Sequence, residues 1–306
     1  LRKTIKTKPG LDATQVHQGN LTMTVAQAVD TQTRSIKPRR MAFDMTQLRE
    51  KYFFRGNPIL STLMYAMSAS FPDGERFFID SVRHYQKDID DPILLAQIRG
   101  FIGQEAHHSR VHEEFNAQAE SLGMAMKHIE KRFKKRIDTA KRRLDPGRQL
   151  AITAALEHIT ATLAQWTLEN PEAGLQSDNH SPLREMLVWH AMEEIEHKAV
   201  AFDVYRAAVN KEKERIVVAK IIFRTFWIQM AIAQVILLWR DHKIPSVHHI
   251  REAWNFMWGK GGFRSWSAPE FKRYLKPGFH PNDVDQSHLI EQWHDSYPEV
   301  AALQIG

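Results

Sequence analysis

Two copies of Glu-x-x-His set what this chain can do chemically: Glu105-Ala106-His107-His108 and Glu194-Ile195-Glu196-His197. Each residue advances an α-helix by about 100°, so residues three apart share a face, and His190 joins Glu194 and His197 within roughly 60° of arc. Two more carboxylates, Glu75 and Glu157, fall in helical segments that alternate with the motifs. A helical bundle holds a pair of metal ions when two helices each give one Glu and two others each give a Glu-x-x-His, all directed inward. The chain order Glu75, Glu105 with His108, Glu157, Glu194 with His197 fills each place. The competing reading, a metal-free network of Glu, His and Arg, would have to satisfy four carboxylates inside one bundle.

The elements that must position these groups are helices. From Phe43 onward apolar residues recur at helical spacing, and Phe71-Pro72-Asp73-Gly74 predicts a break or restart with Asp73 as a cap, placing Glu75 near a kink or a first turn. Asp91-Pro92 opens the next helix and Gly123 stops it. Along that helix Ile98, Phe101, Glu105, His108, His112 and Phe115 share one face, so the donors lie on the core side. An ionised carboxylate there is costly unless paired or metal-bound. Pro146-Gly147 opens the helix of Glu157, where Thr153, Ala154, Thr160 and Ala161 leave either open volume beside a metal or close helix packing. Ser181-Pro182 starts the helix of the second motif, which is expected to run on through Tyr205.

Two segments carry no ligand but have a marked character. Residues 124–148 are dense in Lys and Arg around the stripe Ile129, Phe133, Ile137 and Leu144. They read as a solvated surface helix or as an amphipathic helix meeting anionic lipid or an acidic partner. Nucleic acid is not expected, since no reading helix or stacking aromatics accompany the charge. Residues 215–240 are strongly apolar but interrupted by Lys220, Arg224, Gln229 and Gln234, too short and broken for a membrane span of about 20 apolar residues. A buried helix or a homo-oligomer interface is the first reading, and peripheral membrane contact through Trp227 and Trp239 the second.

The 306 residues contain no cysteine, which excludes disulfides, thiolate zinc sites, iron–sulfur clusters and a Cys nucleophile. Any metal rests on Glu, Asp and the sixteen histidines. The net charge of +6 favours an anionic contact. No signal peptide is visible in the polar first forty residues, so a cytoplasmic location, with or without peripheral membrane attachment, is the expectation. The organisation expected is a polar basic arm over 1–40, a di-metal helical domain over 41–244, and an irregular aromatic extension over 245–306 packed on the bundle.

The segments Phe71–Phe78, Gln104–His108, Leu156-Glu157-His158 and Trp189–Asp203 resemble a bacterial family of predicted metal-dependent hydrolases in the ferritin-like superfamily. The resemblance implies an all-α, ferritin-like four-helix bundle with additional helices. His190-x-x-x-Glu194-x-x-His197 is also similar to the fourth-helix motif of the p-aminobenzoate N-oxygenase group. That similarity implies His190 as a seventh ligand beside Glu75, Glu105, His108, Glu157, Glu194 and His197, the alternative being a hydrogen-bond donor behind a carboxylate. His112 and His158 adjoin ligand positions and are expected to support them or simply to be buried, while Glu113, Glu193 and Glu196 are expected to turn elsewhere.

Hard and borderline donors of this kind suit two iron ions, with manganese or zinc as alternatives. The function expected first is an oxygen-dependent di-iron oxidoreductase that hydroxylates, N-oxygenates or desaturates a small or apolar substrate and draws on an external electron donor. The alternative is a binuclear metal-dependent hydrolase. A third is metal binding without turnover.

Overall fold

The structure, a computed structural model, describes residues 36–170 and 182–296. Most of the expected arm and residues 171–181 lie outside the described residues. The fold is all-α, with no strand among the described residues. In chain order the helices are α1 (Pro58–Tyr85), α2 (Pro92–Ser121), α3 (Met126–Arg143), α4 (Pro146–Glu169), α5 (Pro182–His197), α6 (Val200–Ala208), α7 (Glu212–Arg240), α8 (Val247–Trp258), α9 (Phe263–Tyr274) and α10 (Ser287–Ser296). Helix α1 lies beside α2, α2 beside α5, α5 beside α4, and α4 back beside α1, a ring of four.

The starts of α1, α2 and α4 follow one rule. Asn57, Asp91 and Asp145 each accept a backbone N–H of the first turn, and each is followed by a proline that needs no donor there. Helix α2 ends as expected, with Gly123 at φ 87° just past it.

The expected break at Pro72 does not occur: α1 runs through it unbroken, and Glu75 sits mid-helix. Proline removes the hydrogen bond to the carbonyl four residues back, that of Ser68. Asn116 on α2 supplies the missing donor, its Nδ2 donating to Ser68 O at 3.2 Å. Asp73 pairs with Arg76 on the exposed face instead of capping. The fourth helix, expected to run through Tyr205, is interrupted between α5 and α6 at Lys198-Ala199, where Lys198 Nζ donates to Val284 O and Gln286 Oε1.

Two apolar layers sandwich the ligand level along the bundle axis. One is built on Tyr65, Phe115, Trp189 and Met192, the other on Phe101, Leu150, Phe202 and Tyr205. Each such side chain contributes about 1.5–3 kcal/mol when fully buried, which offsets the cost of enclosing charge between the layers. The C-terminal stretch, expected to be irregular, contains α8, α9 and α10. A capping box between Ser246 and His249 starts α8, and Trp166 of α4 donates to Gly261 O at the turn before α9.

Helix α7 also departs from expectation. At 29 residues, with an 18-residue window of mean hydropathy 1.8, it is long and apolar enough to cross a membrane. Two of its polar interruptions are taken up locally, Gln234 Nε2 donating to Ile59 O and Gln229 accepting from Arg132, while Lys220 and Arg224 are exposed. Ala219, Met230, Ala233 and Leu237 are buried against the bundle, so lipid cannot surround the helix as it sits here.

Candidate metal centre

The ring of four helices brings Glu75 from α1, Glu105 and His108 from α2, Glu157 from α4, and His190, Glu194 and His197 from α5 to one level. All seven are at most 5 % exposed. Their donor atoms form overlapping triads within 4.8 Å: Glu75–Glu105–His108, Glu105–Glu157–His197, and His108–His190–Glu194. Glu105 belongs to two of these, and His112 joins Glu75 and His190 in a fourth.

The inward atoms approach without bonding one another. His197 Nε2 lies 3.1 Å from Glu105 Oε1, 3.4 Å from Glu157 Oε2 and 3.6 Å from Glu194 Oε2. His108 Nδ1 lies 3.6 Å from Glu105 Oε1 and 3.8 Å from Glu194 Oε1. None of these contacts is aligned as a hydrogen bond. Both oxygens of Glu75, Glu105 and Glu157, together with Glu194 Oε2, His108 Nδ1 and His197 Nε2, have no hydrogen-bond partner among the described residues. Buried polar atoms are rarely left so. Nine of them aimed at a common volume fit cations placed between them, and carboxylate with imidazole suits iron, manganese or zinc.

The far sides of the histidines are fully engaged. His108 Nε2–H donates to Glu193 Oε2 at 3.0 Å, and His197 Nδ1–H donates to Gln104 Oε1 at 2.8 Å. Each motif thus supports the other's histidine through the residue just before its glutamate. Arg39 ties the two supports together, donating to Glu193 at 3.0 Å and to both oxygens of Glu196 at 2.7 Å, while Gln104 Nε2 donates to Glu196 at 2.8 Å. Arg39 reaches this position because the chain lies against α2 at two glycines. A Cβ at Gly100 would stand 2.2 Å from Ile36 O, and one at Gly103 2.2 Å from Pro38 Cγ.

His190 has a defined tautomer. Asn116 Nδ2 donates to Glu130 and to Ser68 O, so its Oδ1 accepts the Ser68 hydroxyl at 2.7 Å. Ser68 Oγ then accepts from His112 Nδ1 at 2.9 Å, and His112 Nε2 accepts from His190 Nδ1 at 2.8 Å. The remaining lone pair, on His190 Nε2, faces Glu194 Oε1 at 2.8 Å. Two lone pairs at that distance require a cation between them, a proton or a metal. Burial, then His108, holds His190 below its ordinary value, which disfavours the proton.

Without a metal the cluster must carry protons. Burial and then Glu105 push Glu75 well above the carboxylate range, and burial and then Glu194 push Glu157 to about 8. Burial would depress His108, but Glu105 and Glu193 overcome it and raise the imidazole to about 10. His197 is raised in the same way against its burial, chiefly by Glu194. Burial also opposes ionisation of Glu105 and Glu194, yet the neighbouring histidines hold both below the usual range. Protonated ligands of this kind exchange protons for metal.

An apolar pocket of about 110 Å³ reaches the cluster at His190 and Glu194, walled by Leu63, Met67, Phe71, Leu163, Trp227 and Phe263. Trp227 on that wall has its indole N–H buried without a partner among the described residues.

The seven expected donors converge, and Glu113 turns outward to Arg76 as expected. Glu193 and Glu196 do not simply turn away: both face the outer side of the cluster. His112 supports His190. His158 contributes nothing to the site and is packed among Phe223, Phe271, Tyr274 and Phe279, held near 3 by burial. The supports at Glu193 and Gln104 follow from a rule that applies to sequence, since a ligating histidine needs an acceptor for its other nitrogen. No local signal marks Arg39.

The model of a family described as predicted metal-dependent hydrolase matches residues 37–285. No curated protein and no solved structure matches the chain significantly.

Proposed function

The chain belongs to the predicted metal-dependent hydrolase family, and from that premise we propose that it is a binuclear metal-dependent hydrolase acting on a largely apolar substrate. The observation that carries the reading is the convergence of nine buried donor atoms that find no partner in the described chain. Glu75, Glu105 and His108 would hold one ion and Glu105, Glu157 and His197 the other, with Glu194 and His190 completing the set. When bound, two such ions supply Lewis acidity and lower the pKa of a water they share.

The protein's own residues do the rest. Glu193 and Gln104 fix the ring orientation and tautomer of His108 and His197. The relay from Asn116 through Ser68 and His112 keeps the Nδ1 proton on His190 and its Nε2 lone pair inward. Phe71, Leu163 and Phe263 exclude water beside the reacting bond and receive the apolar part of the substrate. Trp227 offers an N–H to an acceptor on it.

A second reading, oxygen-dependent oxidation at a di-iron site, is favoured by one observation. The pocket wall is hydrocarbon almost throughout, so it would hold the C–H bonds of an apolar substrate beside the cluster and gives a departing polar group few donors. One experiment separates the two. Protein loaded with Zn(II), Mn(II) or Fe(II) is offered an acyl-ester and amide panel with and without oxygen. Hydrolysis supported by zinc or manganese at equal rates in air and under argon is expected. Turnover confined to the iron form, with oxygen consumed, would replace the first reading by the second.

A further inference from the structure

Outside the cluster the most unusual surface is the outer side of α7 and α8. On α7, Val217, Ile221, Ile228, Val235 and Trp239 recur at spacings of four and seven, so they share one face, with Val235 65 % and Trp239 72 % exposed. The stripe is about 33 Å long at 1.5 Å per residue, with the exposed Arg224 on the same face between Ile221 and Ile228. On α8, Val247, Trp254 and Trp258 are exposed in the same way. Soluble monomers rarely present so long an apolar strip to water. The opposite face of α7 is packed on α1 and α4, so the strip is left on the outside of the bundle.

Beside it runs the most basic helix among the described residues. Helix α3 has nine Lys and Arg against two acidic residues. It flanks α7, with Arg132 donating to Gln229 at 2.8 Å, and the groove between them, of about 710 Å³, is lined by Lys131, Lys135, Arg136 and Arg143 of α3 and Ile236 of α7. An apolar face bearing tryptophan, edged by cations, matches the two layers of a bilayer surface, acyl chains and anionic headgroups. A second copy of a chain with net charge +6 would cover the strip but bring a net positive charge toward the basic groove.

We propose that the outer face of α7 and α8, with the basic groove of α3, docks this protein on an anionic lipid bilayer, the helices lying in the headgroup plane. Docking stands apart from the catalytic reading. One consequence rests on that reading: a cavity of about 200 Å³ shares Arg136 with the groove and reaches Phe71 and Thr160, which also wall the pocket at His190 and Glu194. A substrate dissolved in the bilayer would have an apolar route to the cluster.

The test is co-sedimentation of the full chain with vesicles of phosphatidylcholine alone or mixed with phosphatidylglycerol. Binding to the anionic vesicles that weakens with salt is expected. Val235→Glu with Trp239→Glu should lower the partition coefficient at least about tenfold with the circular dichroism spectrum unchanged. Lys131→Glu with Lys135→Glu, on exposed positions, should weaken binding to anionic vesicles in the same direction. The metal-site variant Glu105→Ala should still bind, which separates failure of docking from failure of the catalytic reading. No binding to either vesicle, or binding indifferent to both double variants, overturns the proposal. So does a lipid-free dimer, seen by light scattering, that the Val235→Glu/Trp239→Glu variant dissociates, because the strip would then belong to a second copy.

Discussion

The two Glu-x-x-His motifs have the same spacing and opposite support. On α2, His108 is backed by the carboxylate of Glu193; on α5, His197 is backed by the neutral amide of Gln104. A carboxylate behind an imidazole raises its basicity and its grip on a cation, and an amide does so less. The two halves of the site are therefore built alike in position and unlike in charge. The His108 side should bind metal the more tightly.

Ways to break this comparison can be ranked by effect. Glu105→Ala removes the one ligand common to both triads and should abolish binding of both ions while leaving helical content intact; Glu157→Ala or His197→Ala should lower occupancy mainly on one side. Metal analysis together with circular dichroism checks this. Arg39→Met comes next. It removes the partner of Glu193 Oε1 and leaves the fully buried carboxylate with His108 alone, and the loss of one partner from such a pair costs about 3–5 kcal/mol of stability, measurable by urea unfolding. Glu193→Gln should weaken metal affinity about 10–100-fold. Gln104→Leu should weaken it less, and reversal of that order in a competition titration would remove the distinction between the halves.

Acidity gives a further handle. Glu75, Glu157, His108 and His197 all hold protons to higher pH than usual, Glu157 to about 8 and His108 to about 10. Metals must displace those protons, so apparent affinity should rise with pH through this range. For the metal-free protein the sign is opposite in stability. A buried Glu157 binds its proton more tightly folded than unfolded, so its contribution is present at low pH and is lost as pH rises from the ordinary Glu value through about 8. Thermal unfolding of metal-free and metal-loaded protein across that range should diverge as pH rises.

Much of the centre was legible because it is local. Glu105 with His108 and Glu194 with His197 lie one helical turn apart, and the apolar residues around them mark the same face as core. What escaped is non-local. Pro72 reads as a breaker until Asn116, forty-four positions away, is seen to donate to the orphaned carbonyl. Arg39 reads as part of a polar arm, because nothing near it in the chain reveals Glu193 and Glu196. Glycines at 100 and 103 hint at a close backbone approach but do not say whose. Helix α7 reads as too interrupted for a membrane-length segment because Lys220, Arg224, Gln229 and Gln234 fall within it, whereas the two glutamines find partners on neighbouring elements and the two cations lie exposed.

The most direct test of the central claim is metal stoichiometry by mass spectrometry of the purified chain after anaerobic loading and desalting, beside Glu105→Ala treated identically. Two ions per chain in the parent and none retained in the variant are predicted. Equal stoichiometry in the two proteins, or none in the parent with iron, manganese and zinc alike, would contradict it and leave the buried Glu and His residues as a proton-filled network.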